Sequence, residues 1–257
     1  MRGCRLIRAH LRGANFSDCD LDGADFAQAD TRDTCFQGAM LSGANFTFAN
    51  IAGADMKNAL SDKPFGKLLS TLDTGLEDLL ARHVRFLDTA GAAGRLLDLS
   101  GFDLRGAGGF AGARLTLARA ANAIFCGIDL TRAALQAAKC QGSDFRKARL
   151  DSADLRGIVL AGARLDSASL RRADLRGLRT ESGARIPADL SSARLRHADL
   201  RDAQLAGANF AGADLSFSDL TGAVLTGANF AGARLIASRM SPAQAAIAAG
   251  LGATIAG

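Results

Sequence analysis

Tryptophan and tyrosine are absent from the 257 residues, and proline occurs three times. Hydrophobic residues make up 48% but aromatics only 5%, so any interior must be built from Leu, Ala and Phe. No run approaches the ~20 apolar residues of a membrane-crossing helix. The opening Met1-Arg-Gly-Cys-Arg-Leu-Ile-Arg8 is too charged for a signal peptide. His10, His83 and His197 are scattered, and Cys4, Cys19, Cys35, Cys126 and Cys140 show no CxxC spacing. That argues against zinc and suits unpaired thiols in the cytoplasm. The chain also lacks a phosphate-binding glycine loop, GxSxG and HExxH, so no motif points to an enzyme or a cofactor.

What is abundant is a period of five. From Cys4 to Ala59 the chain runs through units such as GANFS (13–17), GADFA (23–27) and GANFT (43–47). Leu or Phe falls at 6, 11, 16, 21, 26, 36, 41 and 46, Ile51 and Met56 continue the series, and Thr31 is the exception. A small residue stands two places before each. The pattern returns near 113 and runs to 240, with Thr180 and Arg185 as its only polar central residues after Leu115. On an α-helix, five steps of about 100° produce no stripe. On a flat strand an odd step alternates faces. Both conflicts vanish if each pentapeptide turns one corner and four corners close a coil of twenty residues. Such coils stack at the ~4.8 Å strand spacing.

These units resemble the A(D/N)LXX motif of the bacterial pentapeptide-repeat family. The resemblance implies an all-β solenoid, a right-handed quadrilateral β-helix whose small and large residues fill the interior. At a strict twenty-residue spacing, one interior column reads Leu115, Leu135, Leu155, Leu175, Leu195, Leu215, Leu235.

Two stretches break the pattern. Leucines spaced by three and four from 65 to 87 predict helices at about 64–72 and 75–88, the second started by a capping box at Thr74–Glu77. Residues 83–106 resemble an insertion found in some members of the family. His83 within it reads as a packing residue, since no carboxylate or nucleophile is placed beside it. The second break, 176–187, is expected to bulge outward without changing the length of its coil, because Leu190 resumes in phase after Leu175. Ser241-Pro242 opens a short helix covering the last coil. The expected organisation is repeat coils over 1–60, a helical insertion over 61–96, coils over 97–240 and a cap over 241–257. Met1 begins almost inside the first coil, so that end is expected either to pair with a second copy as a homodimer or to follow upstream sequence.

The outward feature that stands out is basic, within a net charge of +5. Arg156, Arg176 and Arg196 recur at twenty residues and should stack as a ladder, with Arg171 and Arg172 near the adjoining corner. These five form the candidate anion- or partner-binding surface. The repeated Asp residues belong to the motif and do not form acid/base pairs. The expected function is a non-enzymatic scaffold that binds another protein. Some members of the family mimic DNA and bind gyrase or topoisomerase, a role the positive charge opposes. The charge points instead to a third reading, a binder of nucleic acid or another polyanion.

Overall fold

The computed structural model describes residues 1–63 and 66–256. The chain divides into two compact units, Met1–Phe65 and Gly66–Gly257.

In the first unit every fifth residue from Arg5 to Met40 makes a parallel bridge to the residue twenty further on: Arg5 to Asp25, His10 to Asp30, Asn15 to Cys35, Asp20 to Met40, and so on. The result is four ladders of bridges around a twenty-residue coil. The sides are single bridges because each pentapeptide contributes one ladder residue and then turns. At one corner Leu6 N–H donates to the Asp25 carbonyl at 2.7 Å and Asp25 N–H to Cys4 at 2.9 Å. The turn closes with Ala24 N–H on the Leu21 carbonyl at 3.0 Å, which requires Gly23 at φ +66°. The Asp or Asn of the motif then caps the next turn: Asp25 Oδ1 accepts Ala27 N–H at 3.0 Å. Inside, Phe16 stacks on Phe36 at 5.5 Å and Phe26 on Phe46 at 4.7 Å. Thr31 sits fully buried in this interior because its hydroxyl donates to the Asn50 carbonyl at 3.0 Å.

The second unit is built the same way around a column of buried Leu, Ala and Phe, each large side chain contributing about 1.5–3 kcal/mol. Strand β1 (Lys67–Leu68) pairs in parallel with β2 (Phe102–Asp103). A 3-10 turn, Leu69–Thr71, and helix α1 (Leu76–Asp88) follow β1. Leu69, Leu72, Leu76, Leu79 and Leu80 pack on the start of the core. The leucine spacing near 64–72 thus belongs to a strand and a 3-10 turn, not a helix; Pro64 and Phe65 lie outside the described residues. No capping box forms at Thr74, because the N-cap is Gly75 and Thr74 precedes it.

The break at 176–187 differs from its expectation. Val159 bridges Asp189, Arg164 bridges Arg194, Ser169 bridges Asp199 and Asp174 bridges Gln204, each thirty residues apart. Ten residues have therefore been added to the coil, and they form an antiparallel hairpin of β3 (Leu178–Arg179) and β4 (Arg185–Ile186). Leu175 is continued by Leu205 and Leu225, while Leu195 stacks over Leu165. The strict twenty-residue column is corrected accordingly. The insertion is a multiple of five, so the interior phase survives while every later residue moves two ladders round.

At the far end β5 (Arg234–Ile236) is followed by α2 (Pro242–Gly250) and β6 (Thr254–Ala256), which pairs in parallel with β5. Ser241 caps α2 in a capping box with Gln244. The Gln244 amide also donates to the carbonyls of Leu220 and Ala223 at 2.8 Å each, satisfying acceptors of the last coil.

Candidate interaction surface

The bridge position carries Asp repeatedly, and where Arg stands two residues later the pair closes on itself. Arg156 Nε donates to Asp154 Oδ1 at 2.8 Å and its Nη2 to Oδ2 at 2.5 Å. Arg176 grips Asp174 in the same way at 2.9 and 2.7 Å, and Arg201 grips Asp199. The short spacing is decisive, because a side chain two residues on crosses the turn and meets the carboxylate face-on, the geometry that favours two parallel bonds. Burial would raise the Asp154 carboxyl, but the Arg156 bonds outweigh it and hold the group below its ordinary range. In the first unit the Arg32 side chain holds the Asp30 carboxyl at about 2.

Arg156 and Arg176 do stack, since Asp154 bridges Asp174. Thr116, Gln136, Asp154, Arg156, Asp174 and Arg176 join into one polar string across four coils. Thr116 donates to Gln136 at 2.6 Å, Gln136 to Asp154 at 2.6 Å, and Arg156 Nε lies 3.8 Å from Asp174.

Arg196 does not extend this ladder. It follows Arg194, whose ladder runs through Asp144, Arg164 and Asp214, on the opposite side of the coil. There its Nε is 3.9 Å from Asp214 and its guanidinium lies 5.5 Å from the Phe217 ring, which in turn stacks on His197. The hairpin's ten residues are the reason for the displacement. Arg171 and Arg172 are exposed on the ladder of Ser169 and Asp199, with Arg171 Nε 3.9 Å from Asp199. The five arginines therefore occupy three ladders, and the structure gathers only Arg156 and Arg176.

Two arrangements were not legible in the sequence, although the 176–187 break itself was. Asp144 and Arg146 form the same bidentate pair at 2.6–3.0 Å, but with Arg146 only 2% exposed. The D-x-R spacing was visible; nothing in it distinguishes the buried copy from the exposed ones. The second is the pairing inside the 176–187 break, where Arg179 stands directly opposite Arg185.

His83 is fully buried on α1, and its Nδ1 accepts the Leu97 N–H at 3.1 Å, tying the helix to the chain entering the first coil. Burial pushes its pKa below the ordinary 6.5; the Thr116 backbone partly offsets this and the Arg114 charge adds to it. The folded protein therefore binds this proton less readily than the unfolded chain. The stabilisation is complete above about pH 6.5 and is lost as pH falls through the lower folded value. Hydrogen exchange of α1 amides is expected to be unchanged between pH 8 and 7, after correction for intrinsic rates, and faster near pH 5. His83→Gln should flatten that dependence.

Burial pushes the Cys140 thiol up to about 12, so it offers no nucleophile at neutral pH. Among the described residues no three His, Cys, Asp or Glu side chains cluster to hold a metal ion. Among them, too, no helix is long and apolar enough to cross a membrane.

A family model described as pentapeptide repeats, in eight copies, matches residues 1–38, 32–60, 113–151, 143–177, 188–227 and 203–241. No curated protein matches the chain. Among solved structures, HetL, a pentapeptide repeat protein involved in heterocyst differentiation regulation in the cyanobacterium Nostoc sp. strain PCC 7120, is 27% identical. The match covers 91% of this chain and 90% of that one, with a TM-score of 0.32. QnrB1, a plasmid-mediated fluoroquinolone resistance protein, is 17% identical over 96% of this chain and 94% of its own, with a TM-score of 0.39. Rfr23 from the cyanobacterium Cyanothece 51142 is 31% identical over 45% of this chain and 61% of its own, with a TM-score of 0.24.

Proposed function

The chain belongs to the pentapeptide-repeat family, and from that we propose that it is a non-enzymatic scaffold that binds another protein. The frame of this reading is a right-handed quadrilateral β-helix, with repeat coils over 1–60 and 97–240, an insertion over 61–96 between them in the chain, and a terminal cap over 241–257. The observation that carries it is the hairpin added to one coil of the second unit while the interior columns on either side continue unbroken. A projecting loop on a rigid support is a common way to present a binding surface. The free cysteines support a cytoplasmic setting.

The polyanion reading loses support, because Arg156 and Arg176 are each closed by their own aspartate and Arg196 faces another side. A pull-down from lysate of the native host, washed at low and high salt with nuclease-treated controls, tests the proposal. A protein retained at high salt is the expected outcome. A topoisomerase subunit would specify the partner, and nuclease-sensitive material lost at high salt would restore the polyanion reading.

A further inference from the structure

The hairpin of β3 and β4 carries a charge arrangement that the coils avoid. Arg179 and Arg185 are paired in antiparallel register, both exposed. Residues directly opposite in such a pair share one face, and like charges there are destabilising. Neither guanidinium has an ion-pair partner among the described residues, and Glu181 at the tip pairs with neither. Arg176, just before the hairpin, is by contrast closed on Asp174 at 2.7 Å.

The hairpin is also held firmly. Thr180 N–H donates to the Ala184 carbonyl and Gly183 N–H to the Thr180 carbonyl, each at 2.9 Å, closing the tip. Its base rests on Gly157 of the preceding coil, where an added Cβ would stand 2.8 Å from Leu178 Cβ. The two cations are thus presented on a seated support, on the face of the hairpin opposite Leu178 and Ile186, which alternate with them along the two strands.

We propose that this hairpin is a docking fork for an acidic segment of a partner protein, its carboxylates received by Arg179 and Arg185. The inference rests on the scaffold reading and specifies its partner. A nucleic acid fits less well. Its affinity grows with the number of phosphates neutralised, and the arginines of the neighbouring string are already occupied.

The excision that tests the fork is written in the chain itself. Removing Leu178–Pro187 joins Leu175-Arg176-Gly177 to Ala188-Asp189-Leu190, restoring a GADL unit and a twenty-residue coil. Gly177 then occupies the corner position where positive φ recurs, as at Gly157 and Gly162. The excised chain should therefore keep its melting temperature, which serves as the folding control.

Binding is read by fluorescence anisotropy with a short labelled glutamate-rich peptide, alongside a DNA duplex of equal charge. The full chain should bind the peptide more tightly than the duplex. Arg179→Gln/Arg185→Gln and the excised chain should each lose about tenfold in affinity, the size expected for two exposed charge contacts. Equal binding by all three chains, no binding by the full chain, or tighter binding of the duplex overturns the fork. The lysate pull-down separates this from the broader reading. A protein retained equally by the excised chain leaves the scaffold standing without its fork, whereas no protein retained by either chain removes the scaffold.

Discussion

Arg146→Met is expected to destabilise the second unit by about 3–5 kcal/mol, the usual cost of removing one partner from a buried ion pair. Asp144 is 9% exposed and accepts two bonds from Arg146 Nε and one from Nη2. Methionine fills comparable space but leaves the carboxylate with no bidentate donor. Arg105, itself bonded to Asp103, acts on Asp144 only through space. The second half of the experiment separates the pair from its packing. Asp144 Oδ1 also accepts the Arg146 backbone N–H at 3.1 Å, and asparagine keeps that cap, as Asn209 does for Ala211. Asp144→Asn/Arg146→Met should therefore recover most of the loss, because a buried pair replaced as a whole is often close to neutral. Urea denaturation of the three chains measures both. A single variant within ~1 kcal/mol of wild type would mean that the pair is solvated in solution.

Gly94→Ala is the second large effect, at about 3 kcal/mol. Gly94 has φ +82°, and a Cβ there would overlap the Arg82 carbonyl and the Phe86 amide, both backbone atoms of α1. A side chain in the left-handed region costs ~1–2 kcal/mol, and overpacking costs ~1–3 kcal/mol more. Neither obstacle can rotate away. The relief available is movement of α1, which also carries the Arg82 carbonyl that Arg95 N–H reaches at 3.1 Å. The melting temperature should fall, and amides of Leu76–Asp88 should exchange faster than those near Leu190. Exchange accelerated evenly through the unit would show that α1 does not move separately.

The interior was readable from the sequence because burial repeats with the five-residue period, and the period survives at Leu190 as at Leu175. The lateral address of a side chain was not readable, because it repeats every four pentapeptides. An insertion of two pentapeptides is invisible to the short period and moves Arg196 to the opposite side. The aspartates are legible as part of the repeat, but the spacing of an arginine two residues later does not by itself show that the pair closes. The Thr74 signal failed by one position. With Gly75 as N-cap, Glu77 falls at the second helical residue, where it cannot complete the box. Leu69 and Leu72 do pack on the core, as apolar residues at that spacing should. Their element was not legible, because pairing of Lys67 with Phe102 sets the backbone there.

The helices at the two ends of the second unit also govern how it comes apart. A stack whose coils touch only their neighbours ordinarily frays from its termini, one coil at a time. Here the leucines of α1 cover the first coil, and α2 holds the carbonyls of the last through Gln244. Loss of a terminal coil must first release a helix, so partial unravelling gains little chain entropy before a whole latch is given up. The unit therefore opens as a single cooperative block, and its resistance to proteases is decided at its two ends rather than along its sides.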